Sequence, residues 1–152
     1  MLARRRNPGI METMKIYFAT TVLGDRSRVM NGRRMAAELA TLGHEVLTEH
    51  LFEDGAFEAD STLTARQIYD RDLAWLQAAD VVLVEASGSS FGIGFETGYT
   101  LGALTVPLYL LYDTQHAERI SRMALGLHHE RATLVPYGDI EEALAFVRAT
   151  FG

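Results

Sequence analysis

The chain has 152 residues, 48% of them hydrophobic and 22% charged, with a formal net charge of −6 and no cysteine. That length suits one domain with a sizeable core, and the acidic balance argues against a nucleic-acid polymer as partner. The missing thiols exclude disulfides, thiolate metal sites and a cysteine nucleophile, and they are compatible with a reducing, cytoplasmic setting.

The start, MLARRRNPGIMETMK, is basic but lacks the apolar segment of a signal peptide. Residues 1–13 read as a disordered tail, or as extra sequence ahead of a start at Met11 or Met14, and residues 14–152 as a single domain. No apolar run approaches the roughly 20 residues of a membrane helix. KIYFATT (15–21) reads as a strand, aromatic and β-branched, and RVMNGRRMAAELATLG (28–43) as a helix closed by Gly43. EVLTEH (45–50) is a short second strand, followed by an acidic loop over 51–62. LTARQIYDRDLAWLQAA (63–79) is a helix with Ser61 or Thr62 as N-cap. DVVLVEA (80–86) is a buried strand, and GFETGYTLGAL (94–104) is the helix after a glycine- and serine-rich loop. Strand 106–112, helix 117–126, strand 132–137 and helix 139–150, capped by Asp139, complete the chain.

Alternation of five strands with helices implies an α/β three-layer sandwich. At this length it would be flavodoxin-like (Rossmann-like), with a five-stranded, mostly parallel sheet in the order 2-1-3-4-5. Ligands of such folds bind beyond the carboxyl ends of the strands, where the order reverses. The crevice between strands one and three would be lined by ATTVLGDR (19–26) and EASGSSFGIGFETG (85–98).

The second stretch is no P-loop, because it lacks Gly-Lys-Ser/Thr, and Gly92, Gly94 and Gly98 do not give the dinucleotide fingerprint. Its glycines fit either a turn that needs positive φ or a close ligand approach. Ser87, Ser89 and Ser90 add hydroxyls beside the free N–H groups of a helix start, which suits an anion. Glu96 falls in the first turn of the helix expected to begin near Gly92 to Gly94. It is either a favourable charge at the positive helix end or an ionised carboxylate facing the crevice, able to attack an electrophilic carbon.

Asp72 lies within the apolar stripe Ala65, Ile68, Tyr69, Leu73, Trp75, Leu76 and Ala79, while Arg66, Gln67, Asp70, Arg71 and Gln77 take the opposite side. A carboxylate there is paired, hydrogen-bonded or protonated. It is either structural, pairing with a buried arginine or capping a loop, or a general acid. Tyr17, near the end of strand one, reads as core or as catalytic. His50 ends the second strand and borders the crevice. His44, His116, His128 and His129 show no metal-ligand spacing.

Taken together, IYFATTVLGDR, VLTEH, DLAWLQAADVVLVEASGSSFGIGFETG and RISRMALG resemble the 2'-deoxynucleoside 5'-phosphate N-hydrolases, a branch of the nucleoside 2-deoxyribosyltransferase superfamily. The resemblance runs from about residue 15 to the end. It implies hydrolysis of the N-glycosidic bond of (2'-deoxy)nucleoside 5'-monophosphates, with Glu96 as the nucleophile at C1', Asp72 as the acid/base and Tyr17 orienting Glu96. By position, Ser90 and the Gly92 N–H match phosphate contacts, and His50 matches a histidine near the base. Ser121 matches a serine that reaches the phosphate from a neighbouring subunit, so a homodimer is implied. Thr20, Thr21, Val22, Gly24, Arg26, Ser87 and Met123 complete the implied substrate contacts.

No metal or cofactor is called for, and a retaining mechanism would set the two carboxyl groups roughly 5 Å apart. The first loop departs from the family's usual Gly-Ser-Ile-Arg-Gly-Gly-Arg: Thr20 replaces the first glycine and Leu23 the arginine, while Gly24 and Arg26 remain. Two other readings stand beside the hydrolase: a deoxyribosyltransferase that moves the sugar to another base, and a non-catalytic nucleotide-binding module.

Overall fold

The computed structural model describes residues 12–21, 27–88 and 90–152. Most of the expected tail therefore lies outside the described residues, as do the expected contacts Val22, Gly24 and Arg26, and Ser89. Five strands, β1 (Lys15–Thr20), β2 (Glu45–Val46), β3 (Val81–Glu85), β4 (Leu108–Asp113) and β5 (Ala132–Tyr137), pair in the order β2-β1-β3-β4-β5. Every pairing is parallel. The helices are α1 (Ser27–Thr41), α2 (Ala56–Ser61), α3 (Ala65–Ala78), α4 (Phe91–Ala103), α5 (Arg122–Leu125) and α6 (Ile140–Phe151).

Successive strand residues face opposite sides of a sheet, and β1 and β3 are buried on both. Ile16, Phe18, Val81 and Leu83 pack against Met35 and Leu39 of α1 and Val147 and Phe151 of α6. Tyr17, Ala19, Val82 and Val84 pack on the other side with Leu76 and Ala79 and with Ile93 of α4. The same alternation places the Tyr17 ring on the α3–α4 side of the sheet.

Helix ends follow local chemistry. Gly43 adopts φ 87° just past α1, where the His44 N–H reaches the Leu39 carbonyl and the Gly43 N–H the Ala40 carbonyl, as expected of a glycine cap. Asp139 caps α6 by accepting from the N–H groups of Glu141 and Glu142. The cap of α3 is Thr64, not Ser61 or Thr62. Its hydroxyl accepts from the Gln67 N–H, and the Gln67 side chain accepts from the Thr64 N–H, a reciprocal capping box. Ser61 and Thr62 instead terminate α2, their hydroxyls donating back to the Glu58 and Ala59 carbonyls at 2.7 Å.

Three other boundaries differ from the sequence reading. The second strand stops at Val46 rather than at residue 50, because the Thr48 side chain takes over the pairing. Its hydroxyl accepts from the Phe18 N–H (3.1 Å) and donates to the Phe18 carbonyl (2.7 Å). That satisfies the β1 backbone without a further strand residue, and the chain turns into a 3-10 segment, Glu49–Phe52, that carries His50. The expected loop over 51–62 consequently contains α2. The helix expected at 117–126 is split into a 3-10 segment, Thr114–Arg119, and the single turn of α5. Ile120 lies extended and buried between them, so its side chain reaches the interior at the cost of helical continuity.

Candidate active site

The carboxyl ends of β1 and β3 are neighbours, with Thr20 paired to Glu85. Beyond β1, the Thr21 hydroxyl donates to the Gly88 carbonyl at 2.5 Å, clasping the two loops together. A Cβ at Gly88 would meet Thr21 Cβ at 3.0 Å, so this glycine is required by close approach. Positive φ is not the reason for any glycine between residues 88 and 98: among the described residues only Gly43 and Gly55 have it. Gly94 has open space where a Cβ would stand, and at Gly92 the nearest atom is its own turn's Ser90 Oγ, 3.9 Å away.

Helix α4 begins at Phe91, with Ser90 as its N-cap accepting from the Ile93 N–H. The Gly92 N–H lies in the first turn, where the ladder offers no partner. This start is earlier than the sequence suggested and puts Glu96 in the second turn, beyond the helix end's effective field. Burial dominates instead. It pushes the Glu96 carboxyl up to about 7, opposed by a hydrogen bond from Tyr17 and reinforced by the charge of Asp72. The Tyr17 hydroxyl donates to Glu96 Oε1 at 2.7 Å across 79 residues of sequence. Burial, followed by the charge of Glu96, raises the Tyr17 phenol out of the titrating range, so it stays a donor.

Asp72 approaches from α3. The stripe that contains it is only partly covered: Leu76 and Ala79 are buried, but Ile68 and Trp75 are half-buried and Tyr69 is 45% exposed. Asp72 is itself half-buried, at the margin of the core rather than inside it. Its charge acts on both Glu96 and Tyr17. Its Oδ1 accepts from Arg71 Nε at 2.8 Å, so an arginine does pair with it.

His50 stands beside this group, its ring 5.0 Å from Trp75. Burial and the nearby Arg71 lower its pKa, favouring the neutral imidazole.

Ser87 is turned inward. Its hydroxyl donates to Glu85 Oε1 and accepts from the Asp113 N–H at 2.8 Å. Glu85, wholly buried, also accepts from the Tyr137 hydroxyl at 2.8 Å. Ser87 therefore braces the loop from behind, with its donor already committed. Sequence reading missed Glu85 because it looked like an ordinary strand end; a carboxylate closing a fully apolar strand was the available signal. Ser121 caps α5 without a side-chain hydrogen bond, and Met123 is 90% exposed. Among the described residues, no hydrogen bond or ion pair joins either to Tyr17, Asp72 or Glu96. The same residues contain no cluster of His, Asp and Glu side chains arranged to hold a metal ion.

A half-buried glutamate anchored by a strand tyrosine and attended by a second carboxylate, at the point where the order of a parallel sheet reverses, is an arrangement for work on a small polar ligand. The profile of the nucleoside 2-deoxyribosyltransferase family matches residues 16–135, and the chain belongs to that family. A Thermofilum pendens protein whose name places it among the 2'-deoxynucleoside 5'-phosphate N-hydrolases is 35% identical over 86% of this chain and 90% of its own. The 5-hydroxymethyl-dUMP N-hydrolase of Mus musculus is 34% identical over 78% of this chain and 68% of its own. In fold, the chain is similar to the CMP N-glycosidase BcmB of Clostridium botulinum, with a TM-score of 0.65, 19% identity, and coverage of 89% of this chain and 98% of that one.

Proposed function

We propose that this protein hydrolyses the N-glycosidic bond of (2'-deoxy)nucleoside 5'-monophosphates, releasing the free base and (deoxy)ribose 5-phosphate. The observation that carries the reading is the Tyr17–Glu96 hydrogen bond at the β1–β3 crevice, with the charge of Asp72 acting on both groups. The names of the related hydrolases agree with it.

A Glu96 oxygen attacks C1' as the C1'–N bond breaks. The bonding pair leaves with the base nitrogen, which takes a proton from Asp72 in its protonated form. Water then attacks C1', gives a proton back to Asp72, and returns the ester electrons to Glu96. The net reaction consumes one water and retains configuration. Tyr17 fixes the attacking carboxylate. In this reading the 5'-phosphate is received by the Gly92 N–H and the Ser90 hydroxyl at the start of α4, while Thr20 faces α1 and the Thr21 hydroxyl is committed to the Gly88 carbonyl.

The site is completed, in this reading, by a second copy of the chain that brings Ser121 and Met123 to the phosphate. In support, Phe91 and Met123 are 92% and 90% exposed, and Tyr69 and Phe95, 6.3 Å apart, are each about half in solvent. Apolar side chains left out in this way suit a partner surface.

The decisive experiment incubates nucleoside monophosphates and the corresponding nucleosides with the protein and measures free base by chromatography. Base is expected from a monophosphate with wild type and not with Glu96→Ala. No base from any substrate, or equal release by the variant, sinks the hydrolase. Release that depends on an added acceptor base identifies a transferase instead.

A further inference from the structure

Arg71 has no part in the chemistry above, yet it is the group that touches Asp72. Neighbouring side chains on a helix diverge by about 100°, so a contact from Arg71 Nε to Asp72 Oδ1 at 2.8 Å needs the arginine to be turned back and held. Two contacts hold it. Nη1 and Nη2 donate to the two carboxylate oxygens of Asp60, on α2, at 2.6 and 3.3 Å. The guanidinium also lies 4.9 Å from the Trp75 ring, one turn further along α3.

The side chains of Arg71, Asp60 and Asp72 are only 20%, 22% and 23% exposed, so the bridge is shielded on most sides. Arg71 stays fully charged, its pKa raised first by Asp60. A planar fork with five donors can satisfy two carboxylates at once, which an ammonium cannot do in the same plane. The His50 ring also lies 5.0 Å from Trp75, so the segment from residue 49 to 61 is tied to α3 at the point where Asp72 projects.

We propose that Arg71 is a positioning residue for Asp72: anchored by Asp60 and stacked on Trp75, it fixes the direction of the Asp72 carboxylate toward the base side of the crevice. The inference rests on Asp72 serving as the acid/base of the reaction proposed above. A plain structural staple between α2 and α3 is the competing account. The two differ in whether Arg71 matters once the Asp72 carboxylate is gone.

The test is a double-mutant cycle on base release, with Arg71→Gln, Asp72→Asn and the pair. Alignment of a catalytic group acts on turnover more than on substrate binding. Arg71→Gln is therefore expected to lower kcat by about 10- to 100-fold with KM changed less than about 3-fold. On the Asp72→Asn background it should cost less than about 2-fold. Arg71→Lys, with a charge but no fork, is expected to recover part of the turnover.

If Arg71→Gln does not fold, Asp60→Asn loosens the same bridge at its outer end and should show the same dependence on Asp72. Equal losses on both backgrounds, or a larger change in KM than in kcat, overturn the proposal. A wild type that releases no base, or an Asp72→Asn variant as active as wild type, overturns the underlying reaction instead.

Discussion

Burial makes the Glu96 carboxylate sensitive to pH near neutrality. With its carboxyl pushed up to about 7 by burial, the free protein loses the anion that the proposed reaction needs as pH falls through that value. The kcat/KM for base release should therefore drop on the acid side of neutrality. Tyr17→Phe removes the one contact that opposes the burial effect. In that variant the acid limb should move to higher pH and kcat/KM should fall about 10- to 100-fold, as a pH–rate series would report. Stability carries the same signature with a definite sign. A carboxyl whose folded pKa exceeds its unfolded value costs nothing below the unfolded value and destabilises progressively as pH rises through the folded one. The rise from the ordinary 4.5 to about 7 corresponds to about 3 kcal/mol. Glu96→Gln should therefore melt higher than wild type by several degrees at pH 8, and the gap should close as pH is lowered to 4.5.

At the scale of elements, the caps outside the crevice separate stability from activity. Asp139 accepts from two N–H groups at the start of α6, on the face of the sheet away from Glu96. Asp139→Ala should cost about 1 kcal/mol, a lower melting temperature with kcat and KM for base release unchanged; a loss of turnover at full occupancy would contradict this. Most element positions were legible, because aromatic and β-branched runs such as KIYFAT and VVLVE mark buried strands and Gly43 and Asp139 mark helix ends. The stop of β2 was not, since it depends on a hydroxyl meeting the backbone of Phe18, 30 residues earlier. The crevice was legible through topology: an order that reverses between β1 and β3 brings Tyr17 and Glu96 to one place. The Arg71 bridge was invisible to helical periodicity, which puts Arg71 and Asp72 on different faces. Only the fork to Asp60 turns the guanidinium across.

For the molecule as a whole, the dimer that we propose makes activity depend on concentration. Wild type should sediment as a dimer, and Met123→Asp or Phe91→Asp should shift it toward monomer and raise KM for a monophosphate more than for the nucleoside. A monomeric wild type with full activity would remove the second copy from the site. Association through the helices is also what the sheet permits. Its outer strands are β2 and β5. β2 has only two residues, with the Thr48 hydroxyl sealing the adjoining stretch of β1, and β5 carries Pro136, which has no N–H to offer. Neither border gives an incoming strand a long run of free donors and acceptors. The sheet is thus poorly suited to ribbon-like growth by edge addition, and crowding should favour a closed pair over a fibre.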